Sequence, residues 1–382
     1  MNQGKNITNS GFDRYTTGNL SASIVNHGSY KEYFIALELS GLKDISPVLT
    51  ELFTYLKKEG AQVVMQMVFG DCIAKSSYIK KMEAVNETVN WPVMALENDN
   101  AKCSPLTGMQ FIAISGVELT ELRIRDKIAG YSFEDNSAKY AYLCDVRPDD
   151  IIKTTKEQTK ELYKRANQLL FQADMDFSNV VRTWFYLDRL LTWYGIFNEA
   201  RTGFFNDNKV FQKLVPASTG IGARNREGAA LAACFYAIKP KDETINIFKV
   251  DSPMQCEAFN YKSAFSRAVE INTGKIRKLL ISGTASISQE GKSTNMGYVN
   301  KQISATMEIV NKILTSRNMT WADVSRAITY FKEDDALPFF KEYCRVNNIP
   351  AFLVTIAYTS VCRDELLFEI ELDAVTCSID DK

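Results

Sequence analysis

Histidine is almost absent from this chain. Its 382 residues contain one, His27, in a Gly- and Ser-flanked stretch. A serine–histidine nucleophile and a multi-histidine metal centre are both disfavoured on that ground. Net charge is nearly absent too, with 45 Lys and Arg against 46 Asp and Glu. Without a basic excess or a polybasic run, neither nucleic acid nor a membrane surface is an expected partner. No run is long and apolar enough to span a bilayer, and the first thirty residues lack the apolar core of a signal peptide. The eight cysteines are scattered and form no CxxC pair. They fit a reducing compartment better than a disulfide framework, so a cytoplasmic location is expected.

What is present is ordinary globular composition, 46% hydrophobic and 24% charged, on a chain long enough for two or three units. Tyr33–Leu39 reads as a strand. A helix follows over Pro47–Lys58, with Ser46 as N-cap, Pro47 at its first position and Gly60 as its stop. Val63–Phe69 is a second strand, and Cys72–Leu106 shows little pattern. Phe111–Gly116 and Tyr140–Leu143 read as strands, Thr155–Ala173 as a helix, Val180–Leu187 as a strand and Leu190–Phe205 as a helix. Further on, Ala229–Ile238 and Lys278–Gly283 are strands, and Asn300–Ser316 is a helix with Ile303, Met307, Val310 and Leu314 on one face. Val324–Phe331 is a strand, Leu337–Arg345 a helix, and Val354–Val375 a hairpin around the polar turn Cys362–Glu365.

A long helix, a break at Gly60, Met175 or Asn318, and a strand ending at Phe69, Leu187 or Phe331 recur in that order. The pattern reads as three diverged copies of one α+β unit, over 1–106, 107–245 and 246–382, the first degraded after its second strand. Each sheet needs a partner for its apolar face.

The most informative strand is Leu366–Leu372. Alternation puts Glu369 and Glu371 on one face, and Phe368, Ile370 and Leu372 on the other. A carboxylate there either points to water or sits in a pocket. In a pocket, desolvation would raise its proton affinity and make it a general acid near neutral pH.

An EIE strand closing a domain, preceded by a cysteine and a short turn, resembles the end of the Rid proteins (YjgF, endoribonuclease L-PSP). It resembles still more the chorismatases, which are built from the same unit. Further motifs carry the resemblance: Trp91-Pro92-Val93, Gly108-Met109-Gln110, Arg182 to Asp188 (RTWFYLD) and Phe197 to Thr202 (FNEART). Trp193-Tyr194, Pro216 to Gly222 (PASTGIG), Phe265 to Glu270 (FSRAVE) and Ser282 to Ser286 (SGTAS) complete the set. The resemblance covers nearly the whole chain after about residue 30. It implies an α+β fold of three Rid-like β-α-β units, forming a pseudo-trimeric β-barrel with helices outside. It departs from the Rid deaminases at two places. Their arginine after a Pro-Ala pair is replaced by Ser218 after Pro216-Ala217, and by Phe352 after Pro350-Ala351. That counts against imine hydrolysis.

The resemblance implies cleavage of the enolpyruvyl ether of chorismate, a dianion, with release of pyruvate and either a hydroxybenzoate or a dihydroxycyclohexadiene carboxylate. No metal, nucleotide or other cofactor is implied. Glu369 matches the family's proton donor. Glu371 is either its charged neighbour, keeping it protonated by like-charge repulsion, or solvated. Cys362 matches a position that is cysteine in chorismatases forming 3-hydroxybenzoate and alanine in those that hydrolyse; otherwise it is a buried structural cysteine. Arg201, Arg224 and Arg267 are candidates for gripping the two carboxylates, or else surface ion pairs. Tyr261, Thr284 and Ala285 are expected to line the pocket. The competing readings are a Rid-type deaminase and a non-catalytic small-molecule binder on the same scaffold. The chain could act as a monomer or a homo-oligomer.

Overall fold

The computed structural model describes residues 5–8, 11–70, 75–86, 88–98, 106–261 and 263–377, and it builds one small sheet three times over. The first sheet contains β1 (Lys5–Thr8), β2 (Asp13–Thr17), β3 (Leu20–Asn26), β4 (Lys31–Glu38), β5 (Gln62–Phe69), β6 (Val93–Asn98) and β7 (Gly108–Ser115), with helices α1 (Ser46–Glu59) and α2 (Lys75–Asn86) between strands. The second contains β8 (Thr120–Ile124), β9 (Lys127–Glu134), β10 (Ala138–Val146), β11 (Val180–Leu187), β12 (Ala217–Asn225) and β13 (Leu231–Pro240), with α3 (Thr155–Gln172) and α4 (Leu190–Asp207). The third contains β14 (Asn246–Val250), β15 (Ala268–Asn272), β16 (Ile276–Ala285), β17 (Val324–Phe331), β18 (Val354–Tyr358) and β19 (Phe368–Cys377), with α5 (Val299–Ser316) and α6 (Leu337–Val346).

The strand orders are β2-β3-β4-β7-β5-β6, β8-β9-β10-β13-β11-β12 and β14-β15-β16-β19-β17-β18, one topology in triplicate. The first two sheets join through an antiparallel β6–β12 pair, Ala223 opposite Asn98. The third meets the second through the single bridges Ala217–Ser266 and Gly222–Ser360.

Local chemistry explains the repetition. The first helix of each unit ends at a left-handed residue: Gly60 (φ 61°), Asp174 (φ 55°) and Asn318 (φ 55°). These are the residue types that tolerate that conformation. The next strand then carries a bulge at matching places, between Val63 and Met65, Val180 and Arg182, and Val324 and Arg326. On α5, Ile303, Met307, Val310 and Leu314 are fully buried, each contributing roughly 1.5–3 kcal/mol of apolar burial. On α3, Thr154 and Glu157 close a capping box.

Four residues beyond each bulge stand Phe69, Tyr186 and Tyr330. Their ring centroids are 6.2, 6.4 and 6.5 Å apart, a nearly equilateral triangle of one side chain per sheet. The Tyr186 and Tyr330 hydroxyls are 2.9 Å apart. A second cross-sheet knot joins Lys278 of β16 to Glu32 of β4, at 2.9 and 3.0 Å, while the Tyr142 hydroxyl of β10 donates to the same carboxylate. The inward faces of the three sheets thus share one core.

Several sequence expectations are corrected here. Val354–Val375 is not a hairpin, because β17 lies between β18 and β19 and pairs with both. Gly108–Ser115 does not open the second unit: it hydrogen-bonds between β4 and β5 and completes the first sheet. The boundary at 106 therefore cuts the first sheet short of its last strand. That unit is also not degraded. Inside the stretch without clear pattern lie α2 and β6, the rest of which falls partly outside the described residues. Ser46 opens α1 without capping it; its hydroxyl donates to Asp44 at 2.8 Å. Among the described residues, no helix is long and apolar enough to cross a membrane.

Candidate active site

A cavity of about 610 Å³ opens where the second and third sheets meet. Helix α4 supplies Asn198 and Arg201, β12 supplies Ser218 and Gly220, and the segment before β15 supplies Phe265 and Arg267. β16 adds Gly283 and Ala285, the loop before β19 adds Cys362 and Arg363, and β19 adds Glu369.

The alternation read in the sequence is what aims Glu369. Phe368, Ile370 and Leu372 pack with α5 and α6 in the core of the third unit. The opposite face of β19 therefore turns Glu369, Glu371 and Asp373 inward, where all three are buried. Room for the first comes from β16, whose register slips between Ile281 and Thr284. A Cβ on Gly283 would run into the Glu369 carboxylate and come within 3.2 Å of the Thr219 methyl. Burial is the main force raising the proton affinity of Glu369, and the charge of Glu371 adds to it. Arg182 and Arg267 oppose them, and the result is a pKa of about 8. Glu369 is thus a carboxylic acid at neutral pH.

Glu371 has the opposite fate. Burial pushes it up as well, but Arg326 and Arg182 outweigh that and hold it below the usual carboxylate range. Both arginines donate to it directly. Arg326 also reaches Asp373 at 3.0 Å and the Gln110 side-chain oxygen at 2.9 Å. Neither Arg182 nor Arg326 is a site candidate from the sequence alone. The signal that was available is a lone arginine at the same place in two apolar strands, VVRTWFYL and VSRAITYF.

Of the three candidate anion-binding arginines, Arg201 and Arg267 line the cavity. Arg201 is buried between the Phe197 and Phe265 rings, 5.0 and 5.9 Å from their centroids, and donates to Asn198 at 2.5 Å. Its Nε has no partner, and it has no carboxylate partner among the described residues. A buried guanidinium so placed favours an incoming anion. Arg267 donates from Nε and Nη2 to the Cys256 carbonyl at 3.0 and 2.8 Å, which fixes its fork against the Phe265 ring. Arg224 is elsewhere. It pairs with Glu97 at 3.3 Å on the β6–β12 seam and does not line the cavity.

Ala285 lines the cavity, but Thr284 does not; its hydroxyl donates to the Ser282 carbonyl at 2.9 Å. Tyr261 ends a short 3-10 turn, and its side chain lies outside the described residues. Cys362 lines the wall, and burial, aided by Glu369, pushes its thiol up to about 12, so it is a neutral thiol and not a nucleophile. Ser218 lines the cavity as well. Its backbone N–H donates to the Ser282 hydroxyl at 2.8 Å, and its own hydroxyl accepts from Thr183 at 2.8 Å. Among the described residues, no group of three or more His, Cys, Asp or Glu is placed to hold a metal ion.

No protein-family model matches the chain. Among proteins of known activity it is similar to a 3-hydroxybenzoate synthase of Streptomyces hygroscopicus, 24% identical over 242 residues. That match covers 56% of this chain and 68% of the relative. A chorismatase of the same organism is 24% identical over 238 residues, covering 56% and 66%. The crystal structure of a chorismatase superposes on 90% of this chain and 98% of its own, with a TM-score of 0.60 at 15% identity. The chain is chorismatase-like. The likeness is one of fold and extends over nine-tenths of this chain.

Proposed function

We propose that this chain is an enzyme of the chorismatase type, which takes chorismate and releases pyruvate, with Glu369 as general acid. The observation that carries the reading is a buried carboxylic acid, protonated at neutral pH, on the wall of a cavity that also presents Arg201 and Arg267. Chorismate has two carboxylates and one enol ether; Arg201 and Arg267 meet the first and Glu369 protonates the second, on a wall that also carries Arg363 and Glu199.

The chemistry then balances without a cofactor. Glu369 gives its proton to the terminal methylene of the enolpyruvyl group. The vinyl electron pair forms the new C–H bond, and the O–H pair stays on Glu369. Positive charge develops at the ether carbon. If water adds there, the hemiketal collapses to pyruvate and a ring alcohol, consuming one water. If the ring hydroxyl oxygen instead adds to that carbon, its ring C–O bond breaks as the ring gives up a C–H proton to the Glu369 carboxylate and aromatises; the remaining hemiketal collapses to pyruvate and 3-hydroxybenzoate, with no net water. Cys362, neutral and small, shields the intermediate on one side, which favours the aromatic product.

On this reading the three units are a pseudo-trimer whose sheets close into one barrel with the helices outside. The first unit then runs past Ser115, and the second and third divide near Asn246. Incubation of the purified protein with chorismate, with pyruvate followed by lactate dehydrogenase coupling, tests the reading. Absence of pyruvate at high enzyme concentration would refute it.

A further inference from the structure

We infer that Arg182 and Glu371 are a positioning pair that sets, in opposite directions, how firmly Glu369 holds its proton. The inference rests on the reading of Glu369 as the acid and adds the device that tunes it.

Three features of the geometry support it. First, Glu371 is locked as an anion by two cations from different sheets, Arg182 of β11 and Arg326 of β17. Two residues away on the same face, about 6–7 Å along the strand, Glu369 receives no side-chain hydrogen bond among the described residues. A fixed negative charge at that range disfavours a second one. Second, Arg182 is fully buried with unspent capacity. Its Nη2 serves Glu371 and the Thr219 hydroxyl (2.8 Å), while Nε and Nη1 have no partner. Once Glu369 has given up its proton, its carboxylate becomes a new anion near a guanidinium with two donor nitrogens to offer.

Third, the internal repetition provides its own control. The strand pairings Phe69–Gly108, Tyr186–Ala232 and Tyr330–Glu369 make Gly108, Ala232 and Glu369 equivalent. Two residues on, the same alignment sets Gln110, Cys234 and Glu371. The one unit with an acid at the first position is the one with an acid at the second.

The charged and titratable groups around Glu369 and its cavity are Arg182 on β11, Tyr194, Glu199 and Arg201 on α4, Arg267 before β15, Tyr330 on β17, Cys362 and Arg363 in the preceding loop, and Glu371 on its own strand. Of these, Arg182 and Glu371 are bound to each other, so neither varies independently in the resting site.

The test uses infrared difference titration of the full-length protein without substrate. The stretch of the protonated Glu369 carboxyl is assigned by its loss in Glu369→Gln. We expect its midpoint near 8 in the wild type, lower in Glu371→Gln, higher in Arg182→Gln, and close to wild type in Arg182→Lys. The alkaline limb of pyruvate release should move in the same directions. A merely structural role would lower the melting temperature without moving the midpoint. Where Arg182→Gln does not fold, the isosteric Glu371→Gln decides alone: an unmoved midpoint overturns the pair. Midpoints that stay fixed in a protein that cleaves chorismate overturn the pair and leave the substrate. Midpoints that move in a protein that does not cleave it support the pair and overturn the substrate.

Discussion

Gly283 and Glu369 face each other across β16 and β19 so closely that no side chain fits between them. The backbone of Gly283 is not in the left-handed region, so the constraint is one of space and not of φ. Gly283→Ala should fold with a small loss of stability and lose turnover by about tenfold or more, since an ångström of displacement at a reacting group is costly. Circular dichroism melts beside steady-state kinetics would check this; an unimpaired Gly283→Ala enzyme would show that Glu369 need not lie where it does.

Replacing the acid itself is the stronger test. Glu369→Gln keeps volume and removes the transferable proton. Pyruvate release should fall by a factor of about a hundred or more, with the melting temperature at pH 7 unchanged or raised. A fully active Glu369→Gln protein would remove the general acid from the mechanism.

The pH dependence has a definite sign. With a folded-state pKa of about 8 against an ordinary 4.5, Glu369 binds its proton more tightly folded than unfolded. Its contribution to stability is present in full below 4.5 and is lost as pH rises through about 8. The activity supplied by the protonated form falls over the upper part of that window. Urea melts between pH 5 and 9 should therefore show a fall in stability that Glu369→Gln flattens.

The arginines separate cleanly. Arg201→Ala leaves an incoming carboxylate unpaired in a buried site and should raise KM by tenfold or more, on the order of 1.4 kcal/mol at least. Arg224→Ala, on the β6–β12 seam with Glu97, should leave KM within about twofold, as surface ion pairs contribute little. Equal effects of the two substitutions on KM would contradict the placement of the anion grip.

Product analysis concerns Cys362. The wild type should give 3-hydroxybenzoate as its main aromatic product, and Cys362→Ala should shift the mixture towards the dihydroxylated diene, read by mass spectrometry. A wild type giving only the diene would reject the role of the thiol and leave Glu369 untouched.

The sequence by itself determined the parts that depend on local periodicity. Alternation in Leu366–Leu372 placed Glu369 and Glu371 on one face. The helical stripe of α5 and the strands Val180–Leu187 and Val324–Phe331 were legible to the residue or nearly so. Turn and cap residues repeated often enough to show three units. The tertiary structure alone decided which strand lies beside which. The crossover that puts β17 between β18 and β19 is a long-range pairing, and no local pattern distinguishes it from a hairpin. For the same reason Arg182 and Arg326, remote in sequence from Glu371, could not be linked to it until two sheets brought them together. Arg224 and Arg201 have the same charge, and each follows an alanine. Only the fold shows that one meets Glu97 on a seam while the other lies buried at a cavity with no carboxylate partner among the described residues, because burial and pairing are properties of the packed chain.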